Sequence, residues 1–333
     1  MQTGPRAQRQ YDIPTSRIVQ ELPDFTARGI TEFIIHDKHL ASDKKEILRI
    51  ADAVRKYAPE LFISIPVSIK IIDKDFLAAL SDLFCSLEIP LDCTEKGGAL
   101  LLDKKMWSSK AKALNEAGTV FGFSMGWGTQ AGDTFRMFRT RLDFALSLYP
   151  NHINFPQFGK DNGSVPGTGV FSSKDMDFAR GMAFACRTFY TAGRAVPWFN
   201  SATQALKILP SQFFADFDEW QQCNNCSQIT GFVPEERAHT EIERMQITFL
   251  KEKCAEKHRE HIFPALSDTV RLNGAFSRLT ENGKESTLDL SYNPDDILSP
   301  CSMSLCQFAE NVTMESCTVR IFDSNGIPDY KIL

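Results

Sequence analysis

The sequence predicts an α/β protein: a partial, open parallel (β/α) barrel followed by a small C-terminal α+β extension. Three observations predict it. Short apolar runs of about six residues alternate with amphipathic stretches of about 10–18 residues up to Phe155. Polar or glycine-bearing residues recur just after those runs. The patterning switches to period two in the tail, from Leu272 onward.

The elements follow in order. Thr15 and Ser16 open a helix with Ile18, Val19, Leu22 and Phe25 at helical spacing, and Gly29 supplies its stop. A β-branched run, "ITEFIIHD", comes next. Ser42 is the expected cap of a helix with Ile47, Leu48, Ile50, Ala51 and Val54 on its apolar face. "LFISIPVS" and "SLEIPLDCTE" read as strands on either side of a helix around "KDFLAALSDLF". "KKMWSSKAKALNEAG" is a helix with a glycine at its end, "TVFGFSMG" a strand, "GDTFRMFRTRLDFALSLYP" a helix and "HINFPQF" a fifth strand. Runs this short, buried on both faces and joined by helices, predict parallel βαβ units.

Such units build a barrel or a doubly wound sheet, and in either the site gathers at the carboxyl ends of the strands. His36-Asp37, Ser68, Asp92, Glu95, Gly126-Trp127-Gly128 and Gln157 fall there. Gly126 and Gly128 would let a ligand approach the backbone, and Trp127 could stack on a flat group.

The expected division is a partial barrel over residues 15–210 and an extension over 211–333. Past residue 160 come a Gly/Pro/Ser loop, a capped helix over "SSKDMDFARGMAFACRTFYTAGR", a helical stretch broken by Pro210, and a long charged helix from about Glu235 to Glu260. "STLDLSYNP" and "CTVRIFDSNGIPDYKIL" predict a terminal hairpin or small sheet, with Asn325-Gly326 as its turn.

Composition sets limits on function. The net charge of −5 gives no electrostatic case for nucleic acid or a membrane surface. No apolar run reaches the roughly 18–20 residues a membrane span needs. The N-terminus is polar and basic, unlike a secretory signal, and nine scattered cysteines suit reduced thiols, so the expected location is the cytoplasm. The 26 phenylalanines are read first as core.

Five stretches carry a further signal in a fixed order. "EFIIHDKHL" ends a strand on Asp37. "EIPLDCTEKGG" sets Pro90 and Asp92 after another. "GFSMGWGTQAGDTF" supplies Gly126, Gly132, Asp133 and Thr134. "FRTRLDFALSLYPNHINF" is a helix leading into a strand, and "SVPGTGVF" follows it. On these the chain resembles the radical S-adenosylmethionine superfamily over residues 15–200, and within it the branch whose members often carry a cobalamin-binding domain. The resemblance implies a TIM-type barrel. It implies S-adenosylmethionine held by His36, Asp37, Asp92, Glu95, Gly126, Trp127, Gly128 and Gln157, and a 5′-deoxyadenosyl radical that abstracts hydrogen from a small-molecule substrate.

Two departures qualify it. The family's iron–sulfur chemistry uses a Cys-x-x-x-Cys-x-x-Cys loop, whose three thiolates hold a [4Fe–4S] cluster. No such motif occurs here, and the first cysteine is Cys85. The cluster is therefore expected only if its ligands lie upstream of Met1, and no metal ligand or catalytic residue is assigned to this chain. The family's Gly-Gly-Glu is also replaced by "HDKHL". The functional expectation is a radical S-adenosylmethionine enzyme or its barrel portion. The alternative is a non-catalytic barrel relative that binds a small molecule or a partner protein. A lyase or aldolase would need a lysine at a strand end, and Lys70 is the nearest.

Other residues keep two readings each. His36 and His39 beside Asp37 suit acid–base work or helix capping. Asp92 and Glu95 suit ligand contact or capping. Cys223 and Cys226 suit a shared metal or are incidental thiols. Asp133-Thr134 reads as a cap, Arg136, Arg139 and Arg141 as a solvated helix face, and Arg194 as an ion-pair residue. The missing first strand would leave a parallel edge, which the tail or a second subunit of a homo-oligomer is expected to cover.

Overall fold

The computed structural model describes residues 14–37, 39–96, 99–128, 133–156 and 171–333. In chain order these hold α1 (Thr15–Ala27), β1 (Glu32–Ile34), α2 (Lys44–Tyr57), β2 (Phe62–Pro66), α3 (Lys74–Leu80), β3 (Cys85–Pro90), β4 (Thr94–Lys96), β5 (Ala99–Leu101), α4 (Lys104–Glu116), β6 (Val120–Ser124), α5 (Phe135–Leu146) and β7 (His152–Asn154). Then follow α6 (Ser173–Cys186), a π-helical turn (Arg187–Ala192), α7 (Phe199–Ala205), α8 (Pro210–Cys223), α9 (His239–Glu256), α10 (Phe263–Asn282), β8 (Ser286–Leu290), α11 (Pro294–Leu298), α12 (Leu305–Asn311), β9 (Cys317–Ser324) and β10 (Ile327–Ile332). Two compact units result. One holds the chain up to Pro90 with Asp103–Ser124, and the other holds Leu91–Leu102 with Met125–Leu333.

The first unit is α/β. Strands β1, β2, β3 and β6 pair in that order, all parallel. Aspartates start the helices between them. Asp43 accepts from the Glu46 N–H at 3.1 Å, Asp73 from Phe76 at 2.8 Å and Asp103 from Met106 at 3.0 Å. Each satisfies a donor that the first helical turn leaves free. The cap of α2 is thus Asp43 rather than Ser42.

The middle strands are buried on both faces, as expected, but the two faces differ in chemistry. Ile63, Ile65, Leu87, Ile89, Phe121 and Phe123 are fully buried on the odd-numbered face. Trp107 of α4 meets Phe123 edge-on, with ring centroids 5.6 Å apart. Phe25 of α1 meets Phe33 at 5.1 Å on that side. The even-numbered face is mixed: Ser64, Ser86, Glu88, Gly122 and Ser124 stand among Ile34, Phe62, Pro66, Pro90 and Val120.

The second unit is mainly helical. Phe189 lies at its centre, with ring centroids 4.8 Å from Phe213 and 4.9 Å from Phe217, and Phe249 lies 5.0 Å from Phe217. These rings are at most 2% exposed, so this part of the phenylalanine content is core. The unit also holds the β4–β5 hairpin and an antiparallel sheet of order β10-β9-β8, with Asn325 and Gly326 at the β9–β10 turn.

Helix α10 overturns one expectation. Period-two patterning begins at Ser286 rather than Leu272, because residues 263–282 form a 20-residue helix. Small and polar members of its buried face, among them Ala265, Thr269, Gly274 and Ala275, blur its 3.6-residue period. Among the described residues, no helix is long and apolar enough to cross a membrane.

Candidate functional site

Strand register builds the first candidate surface. Ser64 stands beside Ser86, Glu88 beside Gly122, and Pro90 beside Ser124. Aligned residues of parallel strands present side chains to the same face, so Ser64 and Ser86 share a row with Ile34 and Val120, Glu88 and Gly122 lie one step further along, and Ser124 ends its strand beside Pro90. Ser64 and Ser86 are 7% and 4% exposed, and the Ser86 hydroxyl has no hydrogen-bond partner. Glu88 is half-buried and makes its own polar contacts. Sequence reading passed over these residues. The alternation in "FISIP", "CSLEIP" and "VFGFS" was the available signal, but serine and glycine weaken period-two contrast.

His36 and Asp37 follow β1 in the same unit. His36 is exposed, and Asp37 Oδ1 accepts the backbone N–H of His39 at 2.8 Å. Asp37 is not a helix cap: the 3₁₀ turn Leu40–Ser42 has no side-chain cap, and α2 is capped by Asp43. Lys70 is exposed on a 3₁₀ turn, Ile69–Ile71.

The remaining expected positions belong to the second unit. Asp92 is exposed, and the Glu95 backbone pairs with Leu100 in the β4–β5 hairpin. Gln157 lies outside the described residues, as do Gly132 and the Pro-Gly-Thr at 166–168. Gly126, Trp127 and Gly128 form a turn held from within. Arg141 Nη2 donates to the Gly126 carbonyl at 2.8 Å, and to Asp133 Oδ1 and Oδ2 at 2.9 and 3.0 Å. The Gly128 N–H donates to Asp133 Oδ2 at 2.8 Å. Arg141 is therefore buried, not on a solvated face, because its guanidinium reaches a carboxylate and a carbonyl at once. Thr134 is the cap of α5, accepting from Met137 at 3.2 Å.

Trp127 is 5% exposed, with its ring 5.6 Å from Phe138 and 6.0 Å from Phe155. It packs in the core. Gly128 has φ +64°, and a Cβ there would sit 2.5 Å from Met176 Cε. Its missing side chain admits the methionine. Cys93 is half-buried. Burial pushes its thiol up, Arg141 pulls it down, and Asp133 and Asp92 push it up, for a net rise. That disfavours a thiolate nucleophile.

The donor set does not fit a [4Fe–4S] cluster. The three-cysteine loop is missing from the sequence, and among the described residues no three His, Cys, Asp or Glu groups converge to hold a metal. Cys226 is buried, its thiol pushed up to about 11 by desolvation, whereas Cys223 is exposed. Arg194 pairs with Glu281.

No family model matches the chain, and neither does any curated protein. Among solved structures, the chain is similar to the radical S-adenosylmethionine methyltransferase TsrM from Kitasatospora setae with cobalamin and a [4Fe–4S] cluster bound. That match has a TM-score of 0.33 and 17% identity over 42% of this chain and 28% of the other. The same enzyme with tryptophan substrate and the analogue aza-SAM gives 0.33 and 16%, over 42% and 30%. The chain thus spans less than a third of the structures it matches, and likeness at this TM-score carries no argument about fold or activity.

Proposed function

We propose that the chain is the parallel α/β portion of a radical S-adenosylmethionine-type protein, and that its own residues bind a ligand rather than carry the iron–sulfur chemistry. The observation that carries this reading is the two-faced sheet of the first unit. One face is fully apolar. The other sets Ser64, Ser86, Glu88, Gly122 and Ser124 among Ile34, Phe62, Pro66, Pro90 and Val120 along the parallel strands. A sheet serving only as scaffold gains nothing from burying an unpartnered hydroxyl, which costs about 1–3 kcal/mol. The order of the five sequence stretches supports the family, and the absent thiolates separate binding from catalysis.

The ligand is proposed to be S-adenosylmethionine or a related nucleoside, met by Glu88 and the serines through hydrogen bonds. Isothermal titration with S-adenosylmethionine under iron-free conditions tests this. Saturable binding is expected, weakened by Glu88→Gln. Absence of binding at about millimolar ligand overturns the reading.

A second reading, a radical enzyme whose cluster ligands come from a segment outside these residues, is favoured by the ordered motifs alone. Anaerobic reconstitution with iron and sulfide discriminates. Uptake of four irons per chain with a reducible cluster signal supports the enzyme, and no uptake supports the binding protein. The parallel edge of β1 is proposed to be covered in a homo-oligomer, which sedimentation of the full chain tests.

A further inference from the structure

Strand β10 leaves one edge of the second unit's antiparallel sheet open. The sheet order is β10-β9-β8, and among the described residues no strand pairs with the far side of β10. The ladder fixes which groups point there. The Leu333 N–H donates to the Thr318 carbonyl directly opposite, at 2.9 Å. Backbone groups alternate in direction along a strand, so odd-numbered residues bond toward β9, and those of Pro328, Tyr330 and Ile332 point outward.

The edge is partly blunted. Pro328 has no N–H to offer, and Asp329 Oδ1 accepts the Tyr330 N–H at 2.8 Å. Blunting does not require what accompanies it. Ile327 and Leu333 are each 68% exposed. Tyr330 is anchored from within, its ring 6.2 Å from Phe276 of α10 and its hydroxyl donating to Asp295. Read outward from Tyr330, "IPDYKIL" is symmetric in chemistry: Asp329 mirrors Lys331, Pro328 mirrors Ile332 and Ile327 mirrors Leu333.

A two-fold axis at Tyr330 matches two antiparallel copies of this strand at every position. Tyr330 meets its own copy in a hydrogen-bonded pair, and each Ile332 N–H donates to a Pro328 carbonyl. The missing proline N–H leaves only the Ile332 carbonyl to water. Asp329 faces Lys331, and Ile327 faces Leu333, in the non-hydrogen-bonded pairs where side chains come closest. Asp329 gives up the Tyr330 N–H and gains the lysine. Other axes fail. One at Asp329 or at Lys331 sets like charges against each other. One at Pro328 has no donor at its centre, and one at Ile332 sets Lys331 against Leu333.

We propose that β10 is a self-docking edge, to which a second copy of this chain adds its own β10, antiparallel and in register about Tyr330. This edge is separate from that of β1, and the proposal does not rest on the ligand-binding reading. A strand pair buries little surface, so the dimer is weak and forms at high concentration. Sedimentation equilibrium of the full chain, from about 10 µM to 1 mM, tests it. The mean mass is expected to rise toward a dimer. Lys331→Glu and Asp329→Lys should each weaken association by about 10-fold or more, because each sets two like-charged pairs across the axis. Both positions are exposed, so melting temperatures should match the parent. An equimolar mixture of the two variants should associate as the parent does, since every close pair then joins a lysine to a carboxylate. The proposal is overturned if the parent stays monomeric at about 1 mM, if either single variant associates like the parent, or if the mixture associates no better than its components.

Discussion

Asp133 and Arg141 form an ion pair with side chains only 3% and 8% exposed, and between them they fasten both ends of the Gly126–Gly128 turn. The pair is structural in its effect. It satisfies a backbone donor and a backbone acceptor that the loop after β6 would otherwise bury. Removing one partner strands a buried charge. Arg141→Met is therefore expected to cost about 3–5 kcal/mol, read by urea denaturation. Converting both residues to apolar ones, Asp133→Leu with Arg141→Met, should recover part of that loss. The orphaned Gly128 N–H and Gly126 carbonyl keep about 1–3 kcal/mol unrecovered. A single variant that melts like the parent would show that the turn does not depend on the pair.

Gly128 joins two constraints in one residue. Its φ of +64° disfavours any side chain, and the space a Cβ would fill holds the end of Met176. Gly128→Ala should destabilise by about 1–3 kcal/mol. Adding Met176→Ala relieves only the steric part, so a residual cost from the backbone should persist in thermal melts. Full rescue by the second substitution would assign the whole effect to packing.

These residues show how far the sequence speaks. The helices of the first unit are legible because Ile47, Ile50, Ala51 and Val54 recur at helical spacing, while the cap of α2 falls one residue beyond the expected Ser42. Arg141 was misread because its partner, Asp133, precedes it by eight residues on the far side of a helix cap, beyond any local pattern. Trp127 stands between glycines, which suggests an open ligand face. Its actual neighbours, Phe138 and Phe155, come from other elements. The polar sheet face escaped notice for a different reason. Serine and glycine carry too little hydropathy contrast to mark a two-residue period between isoleucine and phenylalanine.

A pH response follows from His239, at the start of α9. Its ring accepts no proton readily. Burial comes first among the causes, then the charges of Arg194 and Arg278, and the Gly193 carbonyl opposes them only in part. Arg278 Nη1 lies 3.0 Å from His239 Nδ1 and also pairs with Glu243. The folded ring titrates at about 4, against 6.5 when unfolded. Between these values the unfolded chain holds more protons, so stability rises with pH across the interval. This contribution is fully present above about 6.5 and lost as pH falls to about 4. Allowing for solvent screening of a part-exposed ring, it is on the order of 1–2 kcal/mol. Denaturation midpoints measured from pH 4 to 7 should show the slope, and His239→Gln should flatten it. An unchanged slope in that variant would place the titrating group elsewhere.

Ser86 offers the sharpest test of whether the polar sheet face serves a ligand. Its hydroxyl is buried without a partner, while the residues on either side, Cys85 and Leu87, turn to the apolar face beneath the helices. An unmade hydrogen bond in that position is a stability cost of about 1–3 kcal/mol, and natural proteins retain such costs chiefly where function needs the group. Ser86→Ala removes the oxygen while leaving a cavity smaller than a methyl group. The variant should melt at the parent temperature or above it, by up to about 1 kcal/mol. Its affinity for S-adenosylmethionine should fall about 5- to 10-fold if the hydroxyl is held in reserve for that ligand. Destabilisation beyond about 1 kcal/mol would mean that the oxygen is bonded in the folded protein. Higher stability with unchanged affinity would remove Ser86 from the binding surface and leave Glu88 as the residue on which that surface depends.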